Sequence, residues 1–198
     1  MLKVAKFGGS SVASPEQFKK VKHIVSADED RKIIVVSAAG KKDSSDHKLT
    51  DLLYLLHAHL NYGVSGEDIV SEISSRFKEI RLGLGLENNI ENEFNAYASA
   101  LTRDTPVDEL VSRGEYFTAR LMAEYLGFTF VDAADCVFFG SDGRIDKEKS
   151  YAAIKAAFEK YGRILIPGFY GSLPNGRVKV MSRGGSDISG SLAAAAVN

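Results

Sequence analysis

The chain has 198 residues, 44% hydrophobic and 26% charged, with 25 Lys and Arg against 26 Asp and Glu for a net charge of −1. This apolar content excludes an intrinsically disordered chain, and the length suffices to bury roughly 70% of the unfolded surface without help from disulfides. Balanced charge supplies no basic excess for phosphate contacts, so no nucleic-acid partner is predicted. The one cysteine, Cys136, excludes an intramolecular disulfide and a Cys-based zinc site, and it points to a reduced, cytoplasmic protein. Every apolar run is far shorter than the ~20 residues that cross a bilayer, so no membrane partner is predicted. Met1 to Phe7 runs straight into a strand pattern, which argues against a signal peptide.

Residues 2–7 and 32–37 are predicted as buried strands, because continuous Val/Ile/Phe runs suit parallel strands covered on both faces. Between them, Ser14-Pro15-Glu16-Gln17 provides an N-cap, a proline at the first helical position and a glutamine three residues on. A helical block follows from about 50 to 126. Ile69, Ile73, Phe77, Ile80 and Leu84 recur there at helical spacing, as do Ile90, Phe94, Tyr97 and Leu101. Thr105-Pro106-Val107-Asp108 repeats the helix-start device. Further strands are predicted at 128–131 and 163–167, a helix through Tyr151, Ile154, Phe158 and Tyr161, and a hairpin over 168–181 turning at Pro174-Asn175-Gly176. Ser186 to Asn198 reads as an Ala-rich helix without a polar face, expected to need burial on several sides and to belong to a longer chain. The order β-α-β, helical block, β-β-α-β predicts a three-layer α/β/α sandwich with a mostly parallel sheet. Ligands in such sheets bind beyond the carboxyl ends of the strands.

Four segments carry candidate chemistry. Lys6-Phe7-Gly8-Gly9-Ser10-Ser11 joins strand to helix. Its glycines let backbone N–H groups approach an oxyanion, the following helix adds its positive end, and Lys6 adds a charge. The order is wrong for a Walker A loop, in which the lysine follows the glycines. Arg183-Gly184-Gly185-Ser186-Asp187 opens the last helix in the same manner. Arg183 offers a planar fork suited to a carboxylate, and Ser186 or Asp187 a helix cap. Ser112-Arg113-Gly114-Glu115 sets a glycine inside a helix, which costs ~1 kcal/mol against alanine and calls for a close approach by backbone or ligand; Glu115 then suits an ammonium group. Val36-Ser37-Ala38-Ala39-Gly40 leaves the second strand with the small residues that a binding crevice needs. His57 and His59 point to different helix faces, and no carboxylate cluster or Ser/His/Asp arrangement is recognisable, so no protein-held metal is predicted.

In this order the segments resemble the aspartate kinases of the amino-acid kinase superfamily. Lys6-Phe7-Gly8-Gly9-Ser10-Ser11 is similar to the family's opening signature and Val35-Val36-Ser37-Ala38-Ala39-Gly40 to its second strand and loop. Lys48-Leu49-Thr50-Asp51-Leu52-Leu53 is similar to its Lys-x-Thr-Asp segment, Ser112-Arg113-Gly114-Glu115 to Ser-x-Gly-Glu, and Arg183-Gly184-Gly185-Ser186-Asp187 to Arg-Gly-Gly-Ser-Asp. The matches run from residue 3 to residue 190. Ser182 replaces a common glycine before Arg183, and Ile188-Ser189-Gly190 replaces the more usual Tyr/Thr-Ser/Thr-Ala.

The resemblance implies that residues 1–198 are the N-terminal, substrate-binding lobe, lacking the nucleotide lobe and the ACT-type regulatory domains and inactive alone. It implies phosphoryl transfer from ATP, with Mg2+ brought by the nucleotide, to the side-chain carboxylate of L-aspartate, opening the route to lysine, threonine and methionine. It assigns Lys6, Gly8, Gly9, Ser10 and Ser37 to the phosphates, and Thr50, Glu115, Arg183, Gly184, Gly185 and Ser186 to the substrate. Asp187 then orients Lys6 through an ion pair, and the full-length protein is a homo-oligomer, commonly a dimer. Two alternatives stand beside it: a related kinase acting on another acid or a nucleotide, and a non-catalytic amino-acid-binding lobe. Glu115 discriminates, since acylated and nucleotide substrates have no free ammonium to pair with it.

Overall fold

Four apolar runs pair side by side. In the computed structural model, which describes residues 1–182 and 184–198, β1 (Lys3–Phe7), β2 (Arg31–Val36), β3 (Thr129–Phe130) and β4 (Ile164–Pro167) form a parallel sheet in the order β1-β2-β4-β3. Alternation along the strands divides the core. Ile34, Val36 and Leu165 pack into one layer with α1 (Pro15–Ser26), α2 (Leu49–Tyr62), α3 (Glu67–Leu84), α4 (Ile90–Ser99) and α5 (Val107–Leu126). Ile33, Val35, Ile164 and Ile166 face the opposite layer, formed with α6 (Ala133–Cys136), α7 (Lys147–Tyr161) and α8 (Gly185–Ala196). The three-layer α/β/α sandwich follows from that two-sided burial, in which each fully buried Ile or Val stabilises by about 1.5–3 kcal/mol. A two-stranded antiparallel hairpin, β5 (Tyr170–Ser172) and β6 (Val178–Val180), stands apart from the sheet.

The helical block is four helices. Phe77 of α3, Phe94 of α4 and Phe117 of α5 meet with ring centroids 5.6–5.7 Å apart and bind the block together. Ser14 caps α1 by accepting from the Gln17 N–H, with Pro15 at the first helical position. Thr105 does not repeat this device. Its hydroxyl accepts from the Thr102 N–H, Pro106 takes the N-cap position without a side-chain cap, and α5 starts at Val107. The closing order also differs from the expected β-β-α-β: α6 and α7 come between β3 and β4, and the hairpin follows β4 directly. Tyr161 is largely exposed, outside the core that Ile154 enters.

The Ala-rich helix α8 is buried on one face, not several. Ser186, Ser189, Gly190, Leu192, Ala193 and Ala196 are covered, whereas Ile188, Ser191, Ala194 and Ala195 are exposed. Small residues let the helix lie close to β1: a Cβ on Gly190 would stand 3.3 Å from Cβ of Lys6. Among the described residues, no helix is long and apolar enough to cross a membrane.

Candidate active site

The carboxyl ends of β1, β2 and β4 and the start of α8 converge on one cleft of about 780 Å³. Each loop is sewn to its neighbour through the backbone. Ser37 N–H donates to Phe7 O at 3.0 Å, Gly168 N–H to Val36 O at 2.8 Å and Gly40 N–H to Gly9 O at 2.9 Å. Gly9 and Gly40 must be glycines for this reason. A Cβ on Gly40 would lie 2.6 Å from the Gly9 carbonyl carbon, and one on Gly9 would lie 2.9 Å from the Ala38 carbonyl oxygen. The two glycines thus serve loop-to-loop contact first. Gly8 is extended (φ −77°, ψ 170°), and a Cβ there would meet only Lys6 Nζ, at 3.7 Å. Gly40→Ala is therefore expected to destabilise the fold by at least about 1–3 kcal/mol, since backbone cannot step aside. Gly8→Ala should be nearly neutral. Thermal melts of both variants check the contrast.

The helix that follows the first glycine loop begins where Ser14-Pro15 marks it, so its positive end is set back from the glycines. Residues Gly9–Val12 form one 3-10 turn, and α1 starts only at Pro15. At the other loop, α8 does begin at the cleft. Gly184, with φ 87°, is its N-cap; Ser186 and Asp187, expected as caps, lie inside the first turn, where Ser186 is buried and Asp187 exposed. Asp187 Oδ1 reaches across to Lys6 Nζ at 2.8 Å. Arg183 lies outside the described residues.

Glu115 supplies the most unusual electrostatics. It is 4% exposed, and its Oε2 has no hydrogen-bond partner. Burial pushes its carboxyl up to about 8, while the Ala38 backbone N–H pulls in the opposite direction. The interior glycine beside it has a steric cause: a Cβ on Gly114 would stand 3.0 Å from Ala38 Cβ and 3.1 Å from Leu53 Cδ1. Thr118 Oγ1, one turn on, accepts from the Ala39 N–H at 3.2 Å. Gly114, Glu115 and Thr118 are therefore the strip of α5 against which the β2 exit loop is laid.

Lys6, Gly9, Ser10, Ser37, Thr50, Glu115, Gly184, Gly185, Ser186 and Asp187 all line the cleft; Gly8 does not. Tyr54, Phe169 and Met181 also line it and were not foreseen. Tyr54 follows Thr50 by one helical turn, a spacing that the sequence did contain. Phe169 carries no such signal: its positive φ of 79° sits in a bend whose Phe169 N–H donates to Ser189 Oγ at 3.1 Å and whose carbonyl accepts from Met181 N–H at 2.7 Å. Among the described residues no group of three or more His, Cys, Asp or Glu side chains is placed to hold a metal.

The whole chain, residues 1–198, matches the model of the amino acid kinase family. It is 33% identical to aspartokinase 3 of Bacillus subtilis over 98% of its own length and 46% of that protein. It is also similar to the crystal structure of Clostridium acetobutylicum aspartate kinase, with a TM-score of 0.94 and 44% identity over 98% of this chain and 45% of that one. Escherichia coli aspartokinase III, solved in complex with aspartate and ADP, shares the fold at a TM-score of 0.80 and 24% identity, covering 100% of this chain and 47% of that one. The chain thus spans about half the length of the relatives it matches.

Proposed function

The chain belongs to the amino acid kinase family, and on that premise we propose that it is the N-terminal, substrate-binding lobe of an aspartate kinase. The whole protein would transfer the terminal phosphoryl group of ATP to the side-chain carboxylate of L-aspartate. The observation that carries the reading is the meeting, in one cleft, of a lysine, two glycine-built turns and a buried carboxyl lacking a partner for one oxygen. Similarity to aspartokinases at 33% and 44% identity supports the choice of amino acid.

The acceptor carboxylate has an ordinary pKa near 4 and is already ionised at neutral pH, so no general base is required. Its oxygen attacks the terminal phosphorus, the bond to the ADP oxygen breaks, and the products are 4-phospho-L-aspartate and ADP. The obstacle is repulsion between two anions, so catalysis rests on positioning and charge stabilisation. In this reading Lys6, held by Asp187, neutralises charge on the transferring group. Backbone N–H groups of Gly8, Gly9 and Ser10 donate to the phosphate oxygens, Ser37 lines their path, and the α8 N-terminus adds its positive end. Glu115 takes the aspartate ammonium; Arg183 takes a carboxylate; Thr50, Gly184, Gly185 and Ser186 border the amino acid. Mg2+ would be carried by the nucleotide phosphates. A nucleotide lobe and ACT-type domains belonging to the whole protein, a homo-oligomeric state and a cytoplasmic location form part of the same proposal.

Hydroxylamine trapping tests the reaction, since an acyl phosphate yields a hydroxamate. With L-aspartate and MgATP, hydroxamate should form in step with ADP release in the whole protein. Turnover with N-acetyl-aspartate or a nucleoside monophosphate instead would overturn the substrate assignment. Calorimetric binding of L-aspartate without turnover would favour the non-catalytic lobe.

A further inference from the structure

None of the residues of α3 lines the cleft, yet one face of this helix grips the loop that does. Residues 40–48 are the second part of the connection from β2 to α2 and contribute Lys41 and Lys48 to the cleft rim. Glu72, Arg76 and Glu79, spaced by four and three residues, share one face of α3. Glu72 Oε1 meets His47 Nδ1 at 3.0 Å, and Glu79 Oε2 accepts from Lys42 Nζ at 2.7 Å. Arg76 lies between them and is only 4% exposed. Its Nη1 donates to the Gly40 carbonyl at 3.2 Å and to the His47 carbonyl at 2.7 Å, while its Nη2 pairs with the Asp46 carboxylate.

One guanidinium therefore ties Gly40 to Asp46 and His47, just before the start of α2. The planar fork of arginine serves acceptors lying in different directions, which the single ammonium of lysine does not reproduce. Asp46 neutralises the buried charge, so the loop itself supplies the counter-ion that keeps Arg76 in place. Gly40, held at its carbonyl by Arg76, donates its N–H to Gly9 at 2.9 Å. A continuous set of contacts thus runs from α3 through Arg76 and Gly40 to the turn beside Lys6.

We propose that Arg76 is a positioning residue that sets the Gly40–Lys48 loop, and through it the Gly9 turn, at the height above the cleft that amino-acid binding requires. The proposal rests on the functional reading above. Its test uses Arg76→Met, Arg76→Lys and Asp46→Asn, with amide hydrogen exchange and calorimetric titration of L-aspartate. In Arg76→Met, amides of residues 40–48 should exchange faster while those of β2 and α5 keep their protection. Affinity for L-aspartate should fall by about 10- to 100-fold, the scale of one hydrogen bond to a charged ligand group lost from a displaced loop. Arg76→Lys should recover only part of it. Unchanged exchange in the loop would overturn the proposal, and so would a loosened loop that binds L-aspartate as tightly as wild type. If Arg76→Met loses protection everywhere, Asp46→Asn, which leaves both carbonyl bonds available, decides on the same two readouts. If the wild-type chain itself does not bind L-aspartate, the functional reading fails. Loop exchange then decides together with the rate of amine acylation at Lys48: equal rates in wild type and variants would overturn the positioning role.

Discussion

Replacing Lys6 by alanine is expected to lower turnover in the whole protein by about 10²–10³, the usual loss when one preorganised transition-state donor is removed. Stability should change little. The Lys6–Asp187 pair spans 2.8 Å, but the Asp187 side chain is 72% exposed, and solvent-screened pairs contribute only about 0–1 kcal/mol. A drop of no more than about 4 °C in melting temperature should accompany the loss of rate. Affinity for L-aspartate should stay close to wild type, because Lys6 acts on the phosphoryl group in this reading. Steady-state rates, thermal melts and aspartate calorimetry on the same variant separate these effects. Abolished aspartate binding would move Lys6 to the amino-acid side of the cleft.

Glu115→Gln is expected to act in opposite directions on binding and on stability. Gln keeps the shape and one acceptor oxygen but carries no charge to pair with the ammonium ion, so L-aspartate affinity should fall by about 10- to 150-fold, the equivalent of ~1.5–3 kcal/mol for a charged hydrogen bond. ATP affinity should hardly move. For stability, the Glu115 carboxyl in the unliganded fold is raised by burial from 4.5 to about 8. Between these values the folded protein keeps a proton that the unfolded chain has released. The contribution of Glu115 to stability is therefore fully present below pH 4.5 and is lost as pH rises from there through about 8, a change on the order of 4–5 kcal/mol from this one group. The glutamine variant lacks this decline, so its melting temperature should exceed that of wild type by more at pH 9 than at pH 5. Binding of an ammonium group favours the ionised carboxylate. Wild-type L-aspartate binding at pH 7 should then release close to one proton, and the variant none, as read from calorimetry in buffers of different ionisation enthalpy. Equal proton release by both proteins would remove Glu115 from the ammonium site.

Local signals accounted for the elements. Apolar runs located β1, β2 and β4; Ser14-Pro15 located the start of α1; Pro174-Asn175-Gly176 located the hairpin turn. They misled where one local cue had several outcomes. Thr105-Pro106 resembles Ser14-Pro15, yet the Thr105 hydroxyl bonds back to Thr102 and not forward into the helix. The Ala-rich segment has apolar or small side chains all round, but the layers of the sandwich cover only the face turned toward β1, β2 and α7.

The ordered glycine, lysine, arginine and carboxylate segments by themselves carried the resemblance to the family and named most of the residues that line the cleft, because close backbone approach admits few residue types. Tertiary structure alone decided what each glycine is for, since Gly9 and Gly40 are separated by 31 positions and meet only when two parallel strands end side by side. It also decided the state of Glu115. A glutamate on a helix is ordinarily solvated, and only burial within the fold removes the water that would keep its carboxyl in the usual range. Arg76 is the extreme case: in sequence it is one charge among many on a helix, and its three loop acceptors are gathered around it only by the fold.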